Sequence, residues 1–218
     1  MVSSNASTRA PGDIARKIHA LPKGRQIQIV AIGVSTGGPQ ALNSVIPKLP
    51  GLLGVPIVMV QHMPTDFTAA LAGALNRKSQ LTVVEARSGQ VLEPNTVYLA
   101  PGGKQMKVTR TQLSPDPIII ITDDPPESFC KPSADYLFRS VADIYQGHSL
   151  GVVMTGMGHD GAAGLRLMKA KGARVIAQDE ETSVVFGMPM EAINAGVVDL
   201  VLPLDQIAPA IAGLVQKI

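Results

Sequence analysis

Chemistry in this chain begins at a serine flanked two residues away on each side by glycine. Gly33-Val34-Ser35-Thr36-Gly37 follows the apolar Ile29-Val-Ala-Ile32 and precedes the helix-compatible Gln40-Ala-Leu-Asn-Ser-Val45, so Ser35 falls at a strand-to-helix turn. The flanking glycines allow the sharp turn that lifts a hydroxyl out of a sheet. The N–H groups and positive dipole end of the next helix would stabilise an oxyanion formed beside it. The same turn could instead cradle a phosphate in a non-catalytic nucleotide-binding module. No Lys-Ser or Lys-Thr follows, and Ser35 stands where Gly-x-Gly-x-x-Gly needs its second glycine. These residues alone leave both readings open.

A serine hydroxyl is a weak nucleophile until a base takes its proton. Of the four histidines, His19 lies in the leader and His148 follows Gly147 in a loop before an apolar run, which suits solvated surface positions. His62 directly follows Ile57-Val-Met-Val-Gln61 and precedes Met63-Pro64, at the carboxyl end of the next expected strand. In a parallel sheet that is the edge occupied by Ser35. His159 sits in a second glycine-rich turn, Met154-Thr-Gly-Met-Gly-His-Asp-Gly161, beside Asp160. Consecutive side chains rarely aim at one target, so His62 is the expected base, Asp160 its orienting carboxylate and His159 a rim residue. Spacing alone also fits Asp160 as the N-cap of the helix that follows it.

Cys130, in the polar loop Glu127-Ser-Phe-Cys-Lys131, is a rival nucleophile on paper, but a lone cysteine is ordinarily inert. The nine methionines form no short metal-binding repeat, and no Cys/His spacing matches a structural zinc site. No metal and no organic cofactor is expected.

The elements that must position these residues read as a doubly wound α/β fold, a mostly parallel sheet with helices on both faces. Short apolar runs without the alternation of a half-wet sheet mark buried strands at Ile27–Ile32, Pro56–Val60, Leu81–Glu85, Val97–Ala100, Leu150–Met154, Arg174–Gln178 and Asp199–Leu202. Amphipathic stretches lie between them: Phe67, Leu71, Ala74 and Leu75 share one helical face, and Leu137, Val141, Ile144 and Tyr145 another. Ile207, Ile211, Leu214 and Ile218 repeat the spacing in a closing helix. Met106–Thr109 and Ile118–Ile121 flank a polar loop and predict a short antiparallel ribbon.

A chain of 218 residues, 45% of them hydrophobic, suffices for one core. Residues 1–25, rich in Ser, Pro and Gly, read as a flexible linker or tail in preference to a short helix over Ile14–Leu21. Residues 26–218 read as the catalytic domain. A net charge of +2 leaves no footprint for nucleic acid or lipid. The most apolar stretch, Gly51–Val60, is too short to span a bilayer and is interrupted by Pro56, so no direct membrane insertion is expected. One cysteine and no signal-peptide core suggest a cytoplasmic location.

Ordered segments along the chain resemble the CheB-type protein-glutamate methylesterases of bacterial chemotaxis. They are Gly-Val-Ser-Thr-Gly-Gly-Pro at 33–39, Val-Gln-His-Met-Pro at 60–64, Ala-Pro-Gly-Gly at 100–103, Lys-Pro-Ser-Ala-Asp at 131–135, Met-Thr-Gly-Met-Gly-His-Asp-Gly at 154–161, Ala-Gln-Asp-Glu at 177–180 and Val-Phe-Gly-Met-Pro at 185–189. The resemblance implies Ser35 as nucleophile, His62 as base and Asp160 as buried carboxylate, with the backbone of Thr36 and Met157 near the reacting carbonyl. It implies methyl-accepting chemotaxis receptors as substrates, hydrolysis of their glutamate γ-methyl esters, and deamidation of receptor glutamines by the same acyl transfer. The family pattern usually has asparagine at position 159 and alanine at position 34. It usually also carries a phosphorylated receiver domain before a linker like residues 1–25, and no such domain is present in these 218 residues.

Overall fold

The structure is a computed structural model that describes residues 11–21, 24–111 and 114–216. Seven parallel strands form one sheet: β1 (Ile29–Val34), β2 (Ile57–Gln61), β3 (Thr82–Glu85), β4 (Thr96–Leu99), β7 (Ser149–Val153), β8 (Arg174–Gln178) and β9 (Leu200–Leu202), in the order β3-β4-β2-β1-β7-β8-β9. The two remaining strands, β5 (Gln105–Thr111) and β6 (Ser114–Thr122), pair antiparallel as the expected ribbon.

Continuous apolar runs become central strands because both faces are covered. On one face lie α1 (Pro11–Ala20), α2 (Gly38–Val45), α3 (Thr65–Asn76) and α7 (Leu204–Val215), around a core that includes Leu42, Leu71 and Ile211. On the other lie α4 (Ala134–Tyr145), α5 (Ala162–Ala170), α6 (Gly187–Asn194) and the ribbon, around Phe138, Leu165, Met188 and Ile119. After β1 the chain winds toward β2, and only later returns to β7 on the other side. The carboxyl ends of β1, β2 and β7 therefore surround a topological switch point, where open α/β sheets bind ligands.

Three expectations shift. The first strand runs two residues later than its apolar content suggested, so Val34 is its last residue and Ser35 follows at once. The leader segment contains helix α1, whose Ile14 and Ile18 are buried against α7. An i, i+4 apolar pair suffices for this seat because Gly213 leaves room: a Cβ there would lie 2.9 Å from Ile18 Cδ1. On α3 the buried face is Thr68, Leu71, Ala72 and Leu75, while Phe67 is exposed. Ile218 lies outside the described residues. Among those described, no helix is long and apolar enough to cross a membrane.

Candidate active site

Ser35 occupies the position just past β1, wedged between two neighbours. Val34 pairs with Gln61 and Gly33 with Val153. The ladder continues outward, with His62 N–H donating to Val34 O at 3.1 Å and Ser35 N–H to Thr155 O at 2.9 Å. Ser35 and His62 are thus the next positions in register at two adjacent strand ends, as the parallel-sheet reading required. Gln61, buried beneath them, donates from Nε2 to both Ser35 O and His62 O at 3.0 Å each.

His62 turns one ring nitrogen inward. Nε2 lies 2.7 Å from Asp160 Oδ2, an acceptor that fixes the proton on Nε2 and leaves Nδ1 with its lone pair. Asp160 is 2% exposed and its oxygens are filled. Oδ1 accepts from Ser133 Oγ at 2.7 Å and Asp135 N–H at 2.9 Å, and Oδ2 also accepts from Ala134 N–H at 2.6 Å. Burial pushes this carboxyl up, but His62, the two α4 N–H groups and the Ser133 hydroxyl outweigh it and hold it below the ordinary range. The N-cap alternative changes form: the residue capping α5 is Gly161, and Asp160 instead caps the start of α4. For His62, burial lowers the pKa, but the Asp160 carboxylate and the neighbouring Cys130 raise it from 6.5 to about 9.

Two backbone N–H groups are aimed by their own peptides. Ser35 O accepts from Gln61 Nε2 and from Gly38 N–H at 2.8 Å. Because a trans peptide points its carbonyl and N–H in opposite directions, Thr36 N–H is turned the other way. Gly156 O likewise accepts from Gly187 N–H at 3.0 Å and Met188 N–H at 2.9 Å, which turns Met157 N–H outward. Neither N–H has a hydrogen-bond acceptor among the described residues. The two loops touch: a Cβ on Gly156 would fall 2.7 Å from Ser35 Cβ, so only glycine allows this approach. The Thr155 hydroxyl, donating to Thr36 O at 2.9 Å, ties them together.

The structure brings Ser35, His62, Asp160, Thr36 and Met157 to one edge and leaves His159 exposed near it. His148 instead faces Gln26 O at 2.9 Å from Nδ1, bracing the chain before β1, and His19 is exposed on α1. Cys130 is not a bystander, since its Sγ lies 3.5 Å from His62 Nδ1. Ser35 Oγ makes no hydrogen bond among the described residues. Gln61, Ser133, Thr155 and Gln178, which accepts from Thr155 N–H at 2.8 Å, went unassigned in the sequence. Ser133 had a visible signal, a serine opening an amphipathic run, and it does cap α4 by accepting from Tyr136 N–H at 3.3 Å.

Comparison with known proteins fits this geometry. A family model described as CheB methylesterase matches residues 30–211. A protein-glutamate methylesterase/protein-glutamine glutaminase of Desulfotalea psychrophila is 51% identical over 197 residues, covering 90% of this chain and 54% of that protein. A protein of the same name from Bacillus subtilis is 47% identical over 191 residues, covering 87% and 53%. The chain therefore spans about half the length of the curated relatives it matches. The crystal structure of the Thermotoga maritima CheB methylesterase catalytic domain superposes with a TM-score of 0.84 at 39% identity, covering 87% of this chain and all of that one.

Proposed function

Since this chain belongs to the CheB methylesterase family, we propose that it hydrolyses glutamate γ-methyl esters on methyl-accepting chemotaxis receptors through Ser35, His62 and Asp160. The observation that carries this is the pairing of His62 Nε2 with buried Asp160 at 2.7 Å, with His62 at the same register level as Ser35 on the adjacent strand. With Nε2 committed to Asp160, Nδ1 takes the Ser35 proton as Oγ attacks the ester carbonyl. The oxyanion is met by the N–H groups of Thr36 and Met157, already turned outward by their anchored carbonyls. Collapse returns the proton from Nδ1 to the departing methoxide, methanol leaves, and an acyl-enzyme on Ser35 remains. Water, deprotonated by the same nitrogen, releases the carboxylate. On a receptor glutamine the same steps release ammonia.

Within this reading residues 26–218 are the catalytic domain and act in the cytoplasm on receptor methylation helices, with a phosphorylated receiver domain as regulatory partner. Methylated receptor incubated with the chain should release methanol, and a fluorophosphonate should label Ser35. Labelling that survives Ser35→Ala would overturn the nucleophile. Specific nucleotide binding with no methanol release would favour a phosphate cradle at the same turn.

A further inference from the structure

We propose that His62 Nδ1 and Cys130 Sγ form a binding site for a thiophilic divalent cation of the zinc or cadmium class, which inhibits the chain by occupying the nitrogen that must accept the Ser35 proton. Binding rests on these two side chains, whereas inhibition rests on the proposed role of His62.

The separation of the two donors fits a cation. Metal–nitrogen and metal–sulfur distances of about 2.0–2.1 and 2.3 Å at a tetrahedral angle place the donors about 3.6 Å apart. The observed distance is 3.5 Å. Imidazole and thiolate are the pair that zinc and cadmium favour.

Both donors are held in place. Among the described residues, His62, Cys130 and Asp160 form a group with ligand atoms within 4.8 Å of one another. Both Asp160 oxygens are already occupied by hydrogen bonds, so its part is to fix the imidazole from behind. A carboxylate on the far ring nitrogen is the usual support of a metal-bound histidine. Cys130 ends a tight turn closed by Glu127 N–H to Cys130 O at 3.1 Å and Cys130 N–H to Glu127 O at 2.8 Å. Arg139 grips the Glu127 carboxylate at 2.8 and 2.6 Å, and Gln105 Nε2 donates to Cys130 O at 3.3 Å. His62 keeps 15% of its side-chain surface exposed, and the remaining coordination positions go to water from that open side. On binding, the thiol and, below about pH 9, the imidazolium Nδ1 each lose a proton to solvent, the thiolate and the freed Nδ1 each donate an electron pair, and no redox step is involved.

The test is a cadmium titration of the whole chain in chelator-free buffer, following the ultraviolet thiolate-to-cadmium charge-transfer band and methanol release together. One cadmium per chain should saturate the band, the rate should fall with the same midpoint, and EDTA should restore it. Cys130→Ser should lose the band and move the inhibition midpoint, relative to its own metal-free rate, on the order of tenfold or more. Ser35→Ala should keep the band. Absence of a band in the wild type, inhibition equal in Cys130→Ser, or a saturated band without loss of rate would each overturn the proposal. A wild type silent without metal would sink the hydrolase reading instead, and the band would still decide the binding site.

Discussion

The N–H of Asp135 donates to Asp160 Oδ1 at 2.9 Å, while Asp135 Oδ1 accepts from Gly164 N–H at 2.6 Å, four residues beyond Asp160. Each carboxylate caps the helix to which the other belongs: Asp160, just before α5, serves α4, and Asp135, in the first turn of α4, serves α5. The acid that orients His62 is thus also a fastening between two helices.

Asp160→Asn should consequently fail twice. Its amide nitrogen cannot accept, so the wrong imidazole tautomer is favoured and methanol release should fall by up to about 10⁴-fold. One donor among Ser133, Ala134 and Asp135 also loses its acceptor, a loss of about 1–3 kcal/mol. A thermal melt beside the rate assay checks both, and an unchanged melting temperature would rule out the fastening role.

Asp135 is pushed up from its ordinary value to about 6, chiefly by burial and also by the Asp160 charge. Its folded pKa exceeds its unfolded one, so the stability it adds is full below about pH 4 and is lost as pH rises through about 6. Asp135→Asn keeps one acceptor for Gly164 and removes the titration. Because Asn resembles the protonated acid, the melting temperatures of wild type and variant should lie close near pH 4, with the wild type falling relative to the variant as pH rises to 7, and parallel curves would count against this assignment.

Methanol release should climb with pH, because the base form of His62 is the working form and its pKa is raised to about 9. Cys130 contributes to that rise, so Cys130→Ala should move the midpoint of kcat/KM toward lower pH. Profiles run with a chelator present test this, and an unmoved midpoint would contradict it.

Gly156→Ala should cripple turnover while the fold survives. The new methyl would collide with Met188 Sδ and fall 2.7 Å from Ser35 Cβ, displacing both the nucleophile and the peptide that aims Met157 N–H. A drop on the order of 10²-fold in kcat is expected, the scale of one lost oxyanion donor. A variant with normal kcat would show that this contact is not needed.

Ile18→Ala should cost about 2–5 kcal/mol in urea unfolding with little effect on turnover, because α1 packs on α7 and supplies none of the site residues. Loss of activity without loss of stability would point to a different role for this helix.

The strands and the placement of Ser35 and His62 at adjacent strand ends were legible because their signals are local: an apolar run, a glycine-bounded serine, a histidine after a strand. Helix α1 was not, since Ile14 and Ile18 mean little until Gly213, nearly 200 residues on, supplies the seat. The solvent-facing Phe67 shows the converse, a residue whose spacing fits a buried face but which α3 turns outward. Cys130 read as inert because its partner, His62, is 68 residues away. Asp160 read as the orienting carboxylate or as a cap of the helix after it, and its capping of α4 stayed hidden because capping preferences are written within one helix, whereas the helix it serves begins 26 residues earlier.

Crossed fastening also constrains how this protein can decay over generations. A lineage released from selection for catalysis could replace Ser35 or His62 and keep a folded body available for other roles. Losing Asp160 would loosen the junction of α4 and α5, and that lineage would meet proteolysis before it found a new use. Folded but inactive descendants should therefore still carry the aspartate long after the serine has gone.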